Sequence, residues 1–388
     1  MWRPKPSPPC WRRSAPDNRI VPLKTAIVLF NLGGPDHPRS VDAFRRNLFS
    51  DPAIIRAPWF IRFWLARLIA ASSARQARRN YALMGGKSPL LDFTQVQAAA
   101  LERALAHLGA RCFIAMRYWH PFAWETVRAV REFAPERILL LPLYPQFSTT
   151  TTASSLRQWR EQAARAGLVA EVTSLCCFYA DAGYGDAIAA LVEQSILEAR
   201  AKLGDKFPLR ILFSAHGLPE AIIAGGDPYQ MQIEATAATV MARLAHYGAG
   251  HQVCYQSRAT PQRWLTPSTL DAVAQAGADR VAVVVVPIAF VSDHVETLVE
   301  LDIEVAEHAR ALGVPGYFRA AAPNDDARFI AALAGIAGRA LARGPGLCSD
   351  SGGRRCGAAH AGCPVHAAHA GCPLPAVPGT VMVHPDAA

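Results

Sequence analysis

The sequence predicts an α/β protein with two doubly wound halves, each built on a parallel sheet. Four runs rich in Val, Ile and Leu lie at 25–32, 137–145, 209–217 and 280–290. They do not alternate with polar residues, which is typical of strands covered on both faces. Alanine-rich stretches with helical spacing separate them, and a similar strand-to-glycine turn occurs once in each half. Together these observations favour alternating strands and helices.

The helices and turns support this order in detail. The stretches at 92–109 and 186–204 each end at a glycine close to a basic residue, as helices commonly do. "VLFNLGGPD" (28–36) and "ILFSAHGLPE" (211–220) each run a strand into a Gly/Pro turn with polar residues. Ligands of open α/β sheets bind at such turns. We therefore place the two halves at 22–170 and 171–340.

The two ends of the chain differ from the predicted halves. Residues 1–21 are basic and proline-rich without an apolar core, which predicts a disordered arm rather than a signal peptide. Residues 341–388 are rich in Gly, Ala, His and Cys, and "AAHAGCP" occurs at 358–364 and again at 367–373. Such a segment has few apolar side chains to bury, so we expect a tail rather than a third domain.

The composition limits the classes of protein to which this chain can belong. The 388 residues are 51% hydrophobic and 18% charged, which is typical of globular proteins. The net charge of +9 suits an anionic ligand or surface, but no nucleic-acid-binding motif or basic stripe accompanies it. Apolar runs are too short to span a bilayer. Scattered cysteines indicate reduced thiols: Cys10, Cys112, Cys176, Cys177 and Cys254. We expect a cytoplasmic protein, at most peripherally bound to membrane.

An acidic segment follows the last predicted strand. "AFVSDHVETLVELDIE" (289–304) holds no Lys or Arg, and Glu296, Glu300 and Glu304 recur every four residues on a predicted α-helix beginning near Ser292. A solvated helix face is one interpretation. The other is a row of carboxylates in a cleft, where burial and repulsion raise pKa values so that the groups exchange protons or bind a cation. The position at a strand end favours the cleft.

Three further segments are candidates for a site. His216 follows the strand in "SAHGLPE", where a neutral imidazole accepts a proton or binds a metal, unless it is a structural histidine. "MRYWHPF" (116–122) and "LYPQFSTTTTASS" (143–155) offer aromatic walls and Arg117 for carboxylates, or ordinary packing. "APWFIRFWLARLIA" (57–70) is either an interfacial amphipathic helix or a core helix.

Seven segments together resemble the motif series of the ferrochelatase family, in the family's order. They are "NLGGP" (31–35), "GGKSPL" (85–90), "MRYWHPF", "LYPQFS" (143–148), "SAHGLP" (214–219), "YQSR" (255–258) and "SDHVETLVELDIE" (292–304). The resemblance implies two Rossmann-like halves with the active-site cleft between them. It also implies insertion of Fe²⁺ into protoporphyrin IX to give protohaem, with release of two protons and no required cofactor.

The resemblance also assigns residues to roles. His216 and Glu296 match the family's metal-binding and proton-accepting pair, and His216 is our choice as primary base and ligand. Asp293 and His294 match neighbouring site residues, while Glu300 and Glu304 match an acidic ladder that carries ions or protons. The predicted porphyrin-contacting residues are Tyr81, Ser88, Arg117, Tyr118, Tyr144 and Trp264. Residues 59–70 match an apolar lip through which porphyrin passes from a membrane.

The cysteine tail raises the question of a cofactor. Some ferrochelatases carry a [2Fe-2S] cluster on C-terminal cysteines, and thiolates are the usual ligands. Here Cys348, Cys356, Cys363 and Cys372 are the candidate ligands, with spacing unlike the animal pattern and Thr149 in place of its internal cysteine. Zinc held with His360, His366 or His369 is the alternative, and a tail that binds nothing is the third.

Other activities of the same fold stay open. A coproporphyrin-specific ferrochelatase and a sirohydrochlorin cobaltochelatase are the enzyme alternatives, and the aromatic segments disfavour the second. A porphyrin or haem carrier is the non-enzyme alternative, but a carrier needs neither the base nor the acidic row.

Overall fold

The computed structural model describes residues 23–55, 57–257 and 262–365. Strands and helices alternate along it, as predicted. The strands are β1 (Thr25–Asn31), β2 (Ala110–Met116), β3 (Arg137–Pro142), β4 (Glu171–Leu175), β5 (Leu209–His216), β6 (Gly250–Gln256), β7 (Ala282–Pro287), β8 (Tyr317–Arg319) and β9 (Gly346–Cys348).

The helices occupy the segments between the strands. They are α1 (Val41–Phe49), α2 (Trp59–Ser72), α3 (Ala74–Leu83), α4 (Leu90–Ala104), α5 (Ala123–Phe133), α6 (Thr152–Arg165), α7 (Ala182–Leu203), α8 (Glu220–Ala224), α9 (Tyr229–Leu244), α10 (Thr269–Ala278), a π-helix (Glu296–Val305), α11 (Ala306–Ala311) and α12 (Ala327–Arg343). Short 3₁₀ turns lie at Pro38–Ser40, Ala106–Leu108 and Ala245–Tyr247. No helix of the described residues combines the length and apolarity needed to cross a bilayer.

Two parallel sheets confirm the predicted α/β fold. The first has the strand order β2-β1-β3-β4-β9 and the second β6-β5-β7-β8. The central strands β1, β3, β5 and β7 correspond to the four apolar runs, and almost every residue in them is buried. Helices cover both faces of each sheet, so continuous apolar runs rather than alternating ones are required. One large cluster of buried side chains joins the two halves through α7 and α12.

The chain crosses between the halves at different points from those we predicted. The strand β4 pairs with β3, which extends the first sheet past residue 170. After the second sheet is complete, β9 returns and pairs with β4. The segment from 341 onward is therefore not wholly outside the fold: Leu347, Cys356 and Val365 are buried against the first sheet. Residues 1–21 and the second "AAHAGCP" copy lie outside the described residues.

The acidic segment forms a π-helix over Glu296–Val305 rather than the predicted α-helix, and α11 continues it. A π-helix closes i→i+5 hydrogen bonds, is rare in proteins and is frequently found at functional sites. Residues four apart share a face in either kind of helix, so the spacing of Glu296, Glu300 and Glu304 did not distinguish them. The π-helix keeps these side chains in one row, directed away from the buried Val299 and Leu301.

Candidate active site

A cavity of about 360 Å³ lies between the carboxyl ends of the two sheets. Asn31 and Tyr144 reach it from the ends of β1 and β3, and His216 and Ser257 from the ends of β5 and β6. Parallel strands end at one edge of a sheet, which is why residues far apart in sequence meet here. Most lining side chains are apolar, and the ionisable groups His216, His294 and Glu296 lie together among them.

A contact between an imidazole and a carboxylate joins the two sides of the cavity. His216 is the last residue of β5 and Glu296 the first of the π-helix, and Nδ1 of His216 lies 3.0 Å from Oε2 of Glu296. The His216 side chain is 40% exposed and that of Glu296 15%. Tyr229 donates its hydroxyl to the carbonyl oxygen of His216 at 3.1 Å, which fixes the end of the strand.

Burial and charge act in opposite directions on this pair. Burial disfavours ionised Glu296, but the charge and hydrogen bond of His216, with a contribution from His294, lower its pKa to about 2. Burial likewise disfavours protonated His216, yet Glu296 raises its pKa above the ordinary value. Burial lowers the pKa of His294, whose Nδ1 lies 3.1 Å from the Ser292 carbonyl oxygen. Glu296 is therefore ionised at neutral pH, with His216 as its proton-binding partner.

Glu300 lies one step further along the row and differs from Glu296. It accepts hydrogen bonds from Oγ of Ser257 at 3.0 Å and Nε2 of Gln256 at 3.3 Å. Burial and the charge of Glu296 raise its pKa to about 8, so it is largely protonated at neutral pH. Glu304, the third member, is exposed and accepts a hydrogen bond from Asn80 at 3.2 Å. The row thus runs from the cavity to the surface.

Two acidic residues predicted to be without basic partners are paired. Arg319, at the end of β8, places Nη1 3.0 Å from Oδ1 of Asp293 and Nη2 2.9 Å from Oδ2 of Asp302. Asp293 also holds Asn324, and it does not line the cavity. Its carboxylate supports the loop before the π-helix, and its role as a neighbouring site residue stays a prediction. The partner is distant in sequence, so local charge counting missed it.

Three of the six predicted porphyrin-contacting residues line the cavity: Tyr118, Tyr144 and Trp264. Tyr81 does not, because its ring packs edge-on against Phe44, 6.5 Å between centroids, beneath the wall. Ser88 is buried, and its hydroxyl accepts a hydrogen bond from the Leu90 amide at 3.3 Å.

Arg117 also lies outside the cavity wall. Its Nη2 lies 2.6 Å from Oδ2 of Asp51, and its Nε donates to Oγ of Ser154 at 2.8 Å. The sequence suggested that Arg117 binds a carboxylate of the ligand, whereas the carboxylate that it contacts in the structure is that of Asp51. Asp51 was missed by sequence reasoning, because nothing in "FSDPA" signals a buried ion pair. Ser257 was missed too, although it lies within the "YQSR" segment.

The exposure of α2 tests the alternative that residues 57–70 form a core helix. Its large apolar side chains point outward: Trp59, Phe60, Ile61, Phe63, Trp64 and Leu68 are all exposed. Trp59 is 74% exposed and Trp64 70%, while the small Ala66 and Ala70 face the protein. The core-helix alternative is therefore wrong. Ile69 of the same helix lines the cavity, so α2 forms its outer lip.

The tail cysteines are buried rather than exposed. Cys356 and Cys363 pack in the same buried cluster as Cys176 and Cys177, whose sulfurs lie 3.2 Å apart, and Cys348 packs in the large cluster that joins the two halves. Gln232 donates to the sulfur of Cys356 at 3.2 Å. These thiols thus attach the tail to the first sheet and to α9.

The described residues do not support a metal centre there. Among residues 23–55, 57–257 and 262–365, no group of three or more His, Cys, Asp or Glu side chains is arranged to hold a metal ion. Neither the [2Fe-2S] prediction nor the zinc alternative with His360 finds support in this part of the chain. Cys372, His366 and His369 lie outside the described residues.

Comparisons with known proteins identify the family of the chain. The family model described as "Ferrochelatase" matches residues 24–341. The protein named "Ferrochelatase" from Caulobacter vibrioides (strain NA1000 / CB15N) is 50% identical over 345 residues, covering 88% of this chain and 97% of that protein. "Ferrochelatase" from Phenylobacterium zucineum (strain HLK1) is 48% identical over 342 residues, covering 86% and 97%.

Among solved structures, "SirB from Bacillus subtilis with Fe3+" matches with a TM-score of 0.49 and 12% identity, covering 83% of this chain and 99% of that one. The family model and the sequence relatives cover most of the chain. The chain therefore belongs to the ferrochelatase family and is a metal chelatase.

Proposed function

We propose that this chelatase inserts Fe²⁺ into protoporphyrin IX to form protohaem, with His216 and Glu296 as the reacting pair. The observation that carries the proposal is the 3.0 Å contact between these side chains inside a mostly apolar cavity. A flat apolar substrate fills such a space, and the pair is the polar feature at which a metal and protons can be exchanged.

Metallation removes two protons from the pyrrole nitrogens while a dication enters. In the proposed reaction His216 accepts pyrrole protons, and Glu296 stabilises the resulting imidazolium, a role supported by its low pKa and its contact with Nδ1. While it is neutral, His216 can provide an imidazole nitrogen for Fe²⁺ beside the Glu296 carboxylate, and the ion leaves that nitrogen for the porphyrin before the nitrogen accepts a proton. Two protein ligands suit an ion in transit, because the four porphyrin nitrogens complete its coordination.

The acidic row supports a route for the released protons. Glu300 follows Glu296 on the π-helix, has a pKa of about 8 and therefore gains or loses a proton near neutral pH. The exposed Glu304 lies beyond it. We propose that protons leave the pair through Glu300 and reach solvent at Glu304. Iron enters as substrate in this scheme, and no step uses an iron–sulfur cluster.

The preference for protoporphyrin over coproporphyrin rests on the charges of the wall. None of the described residues that line the cavity is Lys or Arg, and Arg117 is engaged by Asp51. A porphyrin with two carboxylates leaves fewer anions to desolvate in such a space than one with four.

The test is an anaerobic assay of Fe²⁺ insertion into both porphyrins, followed by loss of porphyrin fluorescence. We expect a higher kcat/KM with protoporphyrin IX. Faster insertion into coproporphyrin would replace the proposed substrate, and no insertion into either would refute the function.

Peripheral membrane contact through α2 is a second part of the proposal. The helix exposes its aromatic residues and Arg67, whose guanidinium stacks 3.5 Å from the Phe63 ring centroid. Aromatic and basic side chains on one helix favour an anionic lipid surface. Since α2 also borders the cavity, porphyrin would enter directly from the lipid. A cytoplasmic location at that surface remains a prediction.

A further inference from the structure

Asp51 lies between α1 and α2 and accepts hydrogen bonds from three side chains. Its Oδ2 takes the Tyr118 hydroxyl at 2.7 Å, Oγ of Ser154 at 3.0 Å and Nη2 of Arg117 at 2.6 Å. The Asp51 side chain is 1% exposed. A carboxylate so deeply buried is stable only when paired and hydrogen-bonded, and here Arg117 supplies the charge.

The same residue organises the loop at the mouth of the cavity. The Oδ1 atom accepts the Ala53 amide at 2.8 Å, and the Asp51 carbonyl oxygen accepts the amides of Ile54 and Ile55, each at 3.0 Å. Ala53, Ile54 and Ile55 all line the cavity, and α2 begins shortly afterwards. The side chain of Asp51 therefore binds Tyr118 in the cavity wall, while its backbone holds the 53–55 loop that leads into α2.

Tyr118 is well placed to anchor the connection between the cavity wall and the 53–55 loop. It follows β2, lines the cavity and is 2% exposed. Burial and the charge of Asp51 raise its pKa far above that of free tyrosine, so its hydroxyl remains a donor. The Asn47 amide also donates to the Tyr118 carbonyl oxygen at 3.1 Å, which ties α1 to the same point.

We propose that Asp51 is a positioning residue that sets the width of the porphyrin-binding cavity, here called the slot, because it joins Tyr118 in the cavity wall to the 53–55 loop at the cavity mouth. It also holds Arg117 within the protein, away from substrate carboxylates. The inference rests on the proposed function, because the slot width matters only if the cavity binds porphyrin. His216 and Glu296 make no contact with Asp51, so the chemistry of insertion is separate from it.

The experiment measures porphyrin binding and turnover separately. Porphyrin Kd is obtained without metal from tryptophan quenching, and kcat from iron insertion at saturating porphyrin. We expect Asp51→Asn to raise the Kd about 10-fold and to leave kcat within about twofold. The matched control is Asp42→Asn, which removes a carboxylate paired with Arg78 at the surface of α1, and it should leave both values unchanged.

A double-mutant cycle separates positioning from loss of stability. Tyr118→Phe should raise the porphyrin Kd in the wild-type background and have little further effect beside Asp51→Asn, because the two changes break the same connection. Effects that multiply independently would overturn the inference.

A double variant serves as the control for loss of folding. If Asp51→Asn does not fold, the double variant Asp51→Asn/Arg117→Gln removes both buried charges together, and the same rise in Kd is expected. An unchanged Kd in the folded variant, or a loss confined to kcat, would refute the role of Asp51 while leaving the proposed function intact. Wild-type protein that neither binds porphyrin nor inserts iron would refute both.

Discussion

Replacing Glu300 by glutamine should make the protein more stable, and increasingly so as pH rises. The free glutamate carboxyl has a pKa of 4.5, whereas burial and the charge of Glu296 raise that of Glu300 to about 8. Between these pH values the folded protein retains a proton that the unfolded chain has lost. Raising the pH therefore favours unfolding through this group, and glutamine, which mimics the protonated acid, removes the effect.

The size of the effect follows from the interval between the two pKa values. Each pH unit between 4.5 and about 8 costs the folded state about 1.4 kcal/mol through Glu300, which gives an upper bound of about 5 kcal/mol. Water reaches part of the side chain, so we expect a smaller measured value, about 2–4 kcal/mol. Below pH 4.5 the variant and the wild type should have equal stability.

Urea denaturation at pH 5, 6, 7 and 8 tests this prediction. The difference in the free energy of unfolding between Glu300→Gln and wild type should grow across the series. Glu307→Gln is the control, because Glu307 is an exposed carboxylate on the adjoining α11, and its difference should stay flat. A difference for Glu300→Gln that does not change with pH would show that this carboxyl ionises normally, and the proposed proton route would lose its middle member.

Three further predictions concern other parts of the molecule. His216→Ala should abolish iron insertion while leaving porphyrin binding largely intact, measured by turnover and by fluorescence quenching. Arg319→Gln should lower the free energy of unfolding in urea by about 3 kcal/mol, because Asp293 is then buried without its cation. Serine at both Trp59 and Trp64 should reduce sedimentation with anionic vesicles at least tenfold, because these are the most exposed aromatics of α2.

Each of these changes has a matched control. His308→Ala and Arg310→Gln alter residues of α11 away from the cavity, and both should behave like wild type. Trp124→Ser removes a tryptophan that is 53% exposed on α5, and vesicle binding should persist. Near-normal turnover without His216 would remove it from the mechanism. Normal stability without Arg319, or equal vesicle binding without the α2 tryptophans, would contradict the corresponding argument.

The sequence predicted those features that depend on local pattern and on the geometry of parallel sheets. Apolar runs identified β1, β3, β5 and β7, because central strands in a covered sheet need apolar side chains on both faces. The ends of such strands meet at one edge, so His216 and the start of the acidic segment were expected to lie near each other. Their 3.0 Å contact follows from this topology.

Features that depend on partners far away in sequence were not predictable in the same way. Asp293 appeared uncompensated because Arg319 lies on another strand, and Arg117 appeared free because Asp51 lies on another loop. Ser88 belongs to the "GGKSPL" motif and Tyr81 precedes it, but neither side chain lines the cavity. The π-helix was missed because a spacing of four residues fits both kinds of helix.

The late return of β9 to the first sheet has a consequence for synthesis on the ribosome. The edge of β4 that β9 covers, at Thr173–Leu175, is made about 170 residues before its partner. At typical elongation rates that interval is roughly 10 to 30 s. During it the nascent first half displays an unpaired strand edge, which invites pairing with neighbouring chains. A stop codon before Gly346 leaves the edge of β4 unpaired for good, so it should lower the soluble yield in cells.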